Sequence, residues 1–201
     1  LSKAFEDEPF IYLFVARKAE SDLCEGFLEE ISEKLGFPTL GSSRKFSDIF
    51  QYLMELSKTH SFSVVIDEFQ EFYRVNKAIF SEMQDIWDRN ENTSHIKLVV
   101  CGSVYSMMQK IFKDNKEPLY GRNTGELRVK PFKPSVLKQI LADANPYYSQ
   151  EDLLALFTFT GGVAKYVSLL MDAGAFTKDA MLSHIVSPNS IFLNEGKNNL
   201  I

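Results

Sequence analysis

The feature of this sequence that most constrains its fold is a short apolar run, residues 62–66, that leads directly into the adjacent acids Asp67 and Glu68. An apolar run without alternating polar residues is typical of a strand buried on both faces, as in a parallel sheet covered by helices. Ligands of such sheets bind beyond the carboxyl ends of the strands. We therefore expect Asp67 and Glu68 at a ligand-binding rim, where one carboxylate can hold Mg²⁺ and its neighbour can orient or deprotonate water. The alternative is an ordinary buried strand that ends in two solvated acids.

Further apolar runs predict strands at residues 10–15 and 97–101, and a short strand is predicted at residues 127–129. Apolar residues at helical spacing predict helices between them. These helices are marked by Leu23, Phe27, Ile31 and Leu35, ended by Gly36 and Pro38; by residues 46–56; by Val75, Ile79, Met83 and Ile86, ending near Asn90; and by Met107, Met108 and Ile111. Strands that alternate with helices of this length indicate an α/β fold with a mainly parallel sheet.

The pattern changes near residue 134. Pro131 and Pro134 interrupt the chain after a polar loop at residues 113–125 and the predicted strand at 127–129, and only helical patterns follow. We therefore predict two domains: an α/β core at residues 1–134, and a small all-helical domain at residues 135–201.

Composition excludes several classes of protein. The 201 residues are 45% apolar, enough for a substantial core, and the net charge of -5 argues against an extended nucleic-acid surface. Cys24 and Cys101 form neither a zinc pattern nor a disulfide framework, and the three histidines show no metal-ligand spacing. No apolar stretch approaches the roughly 20 residues that span a bilayer, and no signal peptide is recognisable, so we expect a cytoplasmic protein without membrane partners.

Five short motifs occur in an order that resembles a known group of proteins. They are VVIDEFQ at 64–70, LVVCGS at 98–103, PLYGR at 118–122, VKPF at 129–132 and TGGV at 160–163. Together they resemble the archaeal and bacterial P-loop ATPases that are related to the AAA+ and STAND proteins. The resemblance covers nearly the whole chain and implies a P-loop NTPase-type sheet sandwiched by helices, a helical lid at residues 135–201 and the start of a C-terminal domain.

The resemblance also implies roles for individual residues. Asp67 and Glu68 match the Walker B pair, with Asp67 toward Mg²⁺ and Glu68 toward the attacking water. Ser103 matches a polar residue that senses the terminal phosphate, and Arg122 matches an arginine suited to the charge that spreads during phosphoryl transfer. Lys165 lies where a lid residue can face the nucleotide. Structural alternatives remain open for three of them: a Gly-Ser turn for Ser103, a loop arginine paired with a surface acid for Arg122, and a solvated helix lysine for Lys165.

One expected motif of the family does not occur in these 201 residues. The phosphate loop G-x-x-x-x-G-K-[ST] has no match, since Gly196-Lys197 is followed by Asn198 and lacks the earlier glycine. Residues 1–5 resemble the end of the helix that follows this loop. We therefore expect the natural protein to have upstream residues, with the strand before the loop between the strands at 97–101 and 127–129. Residues 190–196 likewise resemble the passage into a winged-helix domain.

The leading functional hypothesis is the core of an AAA+-related ATPase in which water attacks the terminal phosphate of ATP in the presence of Mg²⁺. We expect the 201 residues alone to be inactive because they lack the phosphate loop. The alternatives are a nucleotide-regulated or nucleotide-free interaction module without turnover, and a nucleic-acid-processing accessory, which the acidic balance disfavours. Expected partners are the nucleotide, a protein client or further copies of the chain, and nucleic acid only through a C-terminal domain outside this sequence.

Overall fold

The computed structural model describes residues 9–36, 41 and 43–193. The predictions that concern residues 1–5, Pro38 and Gly196-Lys197, and residues 194–196 of the predicted passage at 190–196, lie outside the described residues. The chain divides into two compact units, Leu1–Glu126 and Leu127–Ile201. The roles of ATPase core and lid that the sequence suggests for these parts stay predictions.

The first unit is built on a parallel sheet of three strands in the part of the chain that the structure describes. The strands are β1 (Phe10–Phe14), β2 (Ser63–Asp67) and β3 (Lys97–Val100), in the order β1-β2-β3. The helices of this unit are α1 (Glu20–Leu35), α2 (Phe46–Leu56), α3 (Phe72–Val75), α4 (Ala78–Asn90) and α5 (Tyr105–Lys113). The predicted α/β fold with a parallel sheet flanked by helices is confirmed.

Strand β2 is the central strand, and its residues explain that position. Ser63, Val64, Val65 and Ile66 are all buried, as expected for a strand with neighbours on both edges and helices on both faces. Because the sheet is parallel, Asp67 lies level with Phe14 of β1, at the carboxyl end of the sheet.

A cluster of buried phenylalanines anchors the chain just after β2. Phe69 and Phe72 are completely buried, with ring centroids 5.6 Å apart in an edge-to-face arrangement. Phe72 also packs against Phe46 of α2 at 4.7 Å, and Phe69 against Phe80 of α4 at 5.5 Å. The turn that follows Asp67 and Glu68 is therefore held by the core.

The second unit is helical in its described part. It contains α6 (Pro134–Ala144), α7 (Gln150–Thr160), α8 (Ala164–Asp172) and α9 (Lys178–Ile185). These helices enclose a separate apolar core that includes Leu137, Leu141, Leu156, Val167, Leu170 and Met181. A capping box begins α7, in which Ser149 and Asp152 bond each other's backbone N–H groups.

Two local predictions are wrong. Residues 127–129 form no strand in the structure, and Leu127 and Val129 are 90% and 88% exposed. An alternating apolar pattern makes a strand only where a neighbouring strand supplies hydrogen bonds, and β3 pairs only with β2 within the described residues. The helix predicted from Val75 to Asn90 is divided at Asn76, whose extended backbone separates α3 from α4.

Candidate functional site

Asp67 is held from both neighbouring strands of the sheet. Its Oδ2 accepts a hydrogen bond from the Tyr12 hydroxyl of β1 at 2.5 Å, and its Oδ1 accepts one from the Cys101 thiol, just after β3, at 3.0 Å. The backbone N–H of Glu68 donates to the same Oδ1 at 2.9 Å. Three donors around one carboxylate fix the direction in which Asp67 points.

These contacts keep Asp67 ionised. Burial opposes its charge, but the hydrogen bonds from Tyr12, Cys101 and the Glu68 backbone outweigh burial and lower its pKa. The same contacts act in reverse on the donors. The Asp67 hydrogen bond, with burial second, raises the pKa of Tyr12 to about 12, whereas burial, with the Asp67 hydrogen bond second, raises that of Cys101 to about 12. Asp67 is thus a negatively charged acceptor at neutral pH, which is the form that binds a divalent cation.

Glu68 occupies an unusual backbone conformation. It is the one non-glycine residue with positive φ in the described chain, at φ 54° and ψ 38°. This left-handed conformation costs a side-chain-bearing residue roughly 1–2 kcal/mol. The turn is stabilised on both sides, because the Phe69 N–H donates to the Cys101 carbonyl at 2.9 Å and the Glu71 N–H to the Glu68 carbonyl at 2.8 Å. Local strain of this kind is concentrated at functional sites.

The Glu68 carboxylate has two side-chain donors. Ser103 Oγ donates to Glu68 Oε2 at 2.8 Å, and Gln70 Nε2 donates to the same oxygen at 2.5 Å. The structure therefore brings together three of the predicted site residues, Asp67, Glu68 and Ser103, where the chain leaves β2 and β3. The Ser103 hydroxyl is exposed, whereas Gln70 is completely buried.

The ion pair between Arg17 and Glu71, near this rim, was not predicted from the sequence. Arg17, three residues after β1, donates through Nε and Nη2 to the two carboxylate oxygens of Glu71 at 2.9 and 3.2 Å. The hydrogen bond from Arg17 is the main cause of the lowered pKa of Glu71. The positions of the two residues could have predicted the pair. Arg17 follows β1 and Glu71 follows β2, and parallel strands bring their carboxyl ends to one edge of the sheet.

Arg122 is engaged away from the acidic pair. Its Nε and Nη2 donate to the two oxygens of Asp88 on α4 at 2.7 and 2.6 Å, and Nη1 donates to the carbonyls of Pro118 and Tyr120. This bidentate ion pair agrees with the alternative interpretation of Arg122, a loop arginine that pairs with a surface acid. Neither Asp67 nor Glu68 is among the contacts of Arg122 within the described residues.

Lys165 lies in the second unit, in the first turn of α8. Its ammonium is 5.7 Å from the ring centroid of Tyr166, a cation–π distance. Lys165 follows Gly161 and Gly162, both of which have positive φ.

The donor set at Asp67 suits a cation that takes most of its ligands from elsewhere. No group of three or more His, Cys, Asp or Glu side chains that could hold a metal occurs among the described residues. Mg²⁺, however, keeps several waters and is usually bound through one or two carboxylates together with substrate phosphates. The ionised and oriented carboxylate of Asp67 can therefore be the one protein ligand that such a Mg²⁺ ion needs.

Comparison with known proteins shows similarity to a family of archaeal ATPase domains. A family model described as an ATPase domain predominantly from Archaea matches residues 5–170. Two uncharacterized proteins of Methanocaldococcus jannaschii are similar in sequence. MJECL04 is 35% identical over 104 residues, which are 52% of this chain and 23% of that protein. MJ0424 is 31% identical over 67 residues, which are 33% of this chain and 65% of that protein.

The fold is also similar to a solved structure, the Walker-type ATPase PABY2304 of Pyrococcus abyssi. The TM-score is 0.68 at 20% identity, over 97% of this chain and 62% of that one. This similarity confirms the predicted P-loop NTPase-type fold. The chain spans less than two thirds of each of these three proteins. Within the described residues, no helix has the length and apolar character needed to cross a membrane.

Proposed function

The chain belongs to the family of ATPase domains found predominantly in Archaea, and we propose that it forms the core of an AAA+-related ATPase that hydrolyses ATP with Mg²⁺. The observation that carries the proposal is the arrangement of Asp67 and Glu68 at the carboxyl end of the central strand. Asp67 is ionised and held from both flanking strands, and Glu68 follows it in a strained turn anchored by the core.

In this proposal Asp67 and Glu68 have separate roles. Asp67 would hold Mg²⁺, directly or through water, and the bound cation would neutralise charge on the phosphate oxygens. Glu68 would accept the proton of the attacking water, a contribution of roughly 10²- to 10⁴-fold in rate. Ser103, which donates to Glu68 and lies shortly after the neighbouring strand β3, would sense the terminal phosphate.

The roles of Arg122 and Lys165 rest on the resemblance. A correctly placed arginine contributes roughly 10³- to 10⁵-fold to phosphoryl transfer. Arg122 would have to break its ion pair with Asp88 to reach a phosphate. The helical second unit would act as the lid, with Lys165 facing the nucleotide.

The test compares Glu68→Gln with the parent in the full-length protein. Glutamine preserves the shape of the side chain but accepts no proton, so we expect nucleotide affinity close to the parent's and turnover reduced by about 10²-fold or more. Glu29→Gln, at an exposed position of α1, is the matched control and should leave turnover unchanged. Turnover equal to the parent's in Glu68→Gln would remove Glu68 from the mechanism.

A second candidate function is a nucleotide-regulated interaction module without turnover. It is favoured by the two donors on Glu68, because Ser103 and Gln70 already engage one of its carboxylate oxygens, Oε2, within the protein. Calorimetric titration of ATP into the full-length protein, combined with a phosphate-release assay, separates the candidates. Binding without release supports the module, whereas release that depends on Glu68 supports the ATPase.

A further inference from the structure

Gln70 is a completely buried amide whose only side-chain hydrogen bond, within the described residues, goes to Glu68. The exposed fraction of Gln70 is 0%, and its Nε2 lies 2.5 Å from Glu68 Oε2. Its Oε1 is buried and has no hydrogen-bond partner in the described chain. Buried polar side chains are normally satisfied by neighbours, so an amide kept for a single contact with Glu68 needs an explanation.

Gly102 provides the space that this amide occupies. A Cβ atom at residue 102 would lie 2.0 Å from Gln70 Oε1 and 2.8 Å from Met108 Sδ. The backbone of Gly102 does not adopt a positive φ, so close packing rather than chain conformation calls for glycine here. Gly102 also separates Cys101, which donates to Asp67, from Ser103, which donates to Glu68.

The two donors on Glu68 differ in how firmly they are held. Ser103 is exposed, so its hydroxyl can replace the hydrogen bond to Glu68 with one to water. Gln70 is enclosed by the core, between Phe69 and Glu71 in a 3₁₀ turn, so its amide direction is fixed. Both donors reach Oε2, and within the described residues Oε1 of Glu68 accepts no hydrogen bond, which leaves that oxygen for the proton of a water molecule.

We propose that Gln70 is a positioning residue that holds the Glu68 carboxylate in place for hydrolysis, and that Gly102 is glycine because the Gln70 amide fills its side-chain space. This inference rests on the proposed function. Gln70 touches neither nucleotide nor water in this role and acts through Glu68.

The first experiment replaces Gln70 by methionine, which has a similar shape but donates no hydrogen bond. We expect an unfolding midpoint close to the parent's, because the apolar side chain fits the buried site. We also expect kcat to fall about tenfold or more, the rate equivalent of one hydrogen bond to a charged group, with KM for ATP unchanged. Gln51→Met on α2, where Gln51 bonds Glu55, is the control and should keep the parent's kcat.

The second experiment tests the packing without any need for turnover. Gly102→Ala is introduced alone and together with Gln70→Ala, and the unfolding midpoints are compared. We expect Gly102→Ala to lower the midpoint clearly in the parent and by less in the Gln70→Ala background, because the closest contact at 2.0 Å is gone.

The outcomes separate this inference from the proposed function. Non-additive midpoints together with reduced kcat in Gln70→Met support the inference. Additive midpoints overturn it whatever the turnover, and so does a Gln70→Met protein with the parent's kcat. If the parent shows no hydrolysis that depends on Glu68, the proposed function fails. The positioning role of Gln70 then fails as well, even if non-additive unfolding midpoints show that Gln70 and Gly102 are in contact.

Discussion

The Tyr12 hydroxyl lies 2.5 Å from Asp67 Oδ2, so a side chain in the middle of β1 holds the acid that ends β2. Tyr12 pairs with Val65 in the register of the two strands, two residues before Asp67. Its side chain therefore reaches diagonally along the sheet. With Cys101 donating from the other side, the position of Asp67 is determined by the sheet itself rather than by a loop.

The contact between Cys101 and Asp67 predicts a change in thiol reactivity. The pKa of Cys101 is raised to about 12 by burial and by Asp67, so at pH 9 the group is almost entirely the unreactive thiol. Asp67→Asn removes the negative charge and lowers this pKa, which raises the thiolate fraction of Cys101 and should increase its alkylation by iodoacetamide several-fold for each unit of the fall.

Cys24 serves as an internal control in this measurement. Its pKa is raised to about 12 mainly by burial, and Asp67 is not among the causes. Peptide mass spectrometry over a time course should show faster labelling of Cys101 alone in Asp67→Asn. Equal Cys101 rates in the two proteins would contradict the contact.

The sequence was most informative where burial and local conformation decide the structure. The strand that ends at Asp67 could be predicted because its buried residues include three consecutive β-branched apolar ones, Val64, Val65 and Ile66. The end of α1 could be predicted because Gly36 adopts the left-handed conformation, φ 65°, that suits glycine at a helix end. The proximity of Asp67, Glu68 and Ser103 followed from the meeting of parallel strands at one edge.

Contacts that depend on tertiary packing could not be predicted in the same way. The pattern at residues 127–129 is that of a strand, but a strand also requires a partner, which sequence alternation does not reveal. Arg122 carries no sign that Asp88, 34 positions earlier, would pair with it. Likewise, the contact between Gln70 and Gly102 could not be predicted from the local sequence, because the two residues follow different strands and meet only in the folded chain.

The consecutive glycines 161 and 162 should differ sharply in their tolerance of a side chain. Both have positive φ, so alanine at either position costs roughly 1–2 kcal/mol. A Cβ at Gly161 meets nothing within 4 Å, whereas a Cβ at Gly162 would lie 2.2 Å from the Phe132 carbonyl oxygen. We expect Gly162→Ala to be less stable than Gly161→Ala by about 1–3 kcal/mol, the usual cost of overpacking. Urea unfolding followed by circular dichroism measures the difference, and equal losses would contradict the close approach of Phe132.

The ion pair between Arg122 and Asp88 should contribute to stability because it fastens the loop before residue 125 to α4. Arg122→Ala removes two hydrogen bonds to Asp88 and two to backbone carbonyls, and we expect a loss of about 1–2 kcal/mol. The control is Arg89→Ala, one position along α4, whose exposed pair with Asp85 is worth less than about 0.5 kcal/mol. Equal effects of the two substitutions on chemical denaturation would show that Arg122 is not an anchor.

Asp152 predicts how the stability of the second unit depends on pH. Its carboxylate accepts hydrogen bonds from the Ser149 backbone N–H at 2.8 Å, from the Lys178 backbone N–H at 2.6 Å and from the Ser149 hydroxyl. The backbone hydrogen bonds, that of Ser149 first, lower its pKa. A lowered pKa stabilises the folded state above the unfolded pKa of about 4, and this contribution is lost as the pH falls through the folded value.

Asp152→Ala should therefore be less stable than the parent by about 1–2 kcal/mol at pH 7, as for the loss of a helix cap. The difference should shrink as the pH falls below about 4 toward the lowered pKa of Asp152 in the folded parent, where its carboxylate becomes protonated. Glu151→Ala is the control, since Glu151 forms an exposed ion pair with Lys178 at 3.1 Å and should change stability little. Thermal unfolding from pH 7 to pH 3 measures both proteins, and a difference that stays constant with pH would show that the charge of Asp152 does not stabilise the junction of α7 and α9.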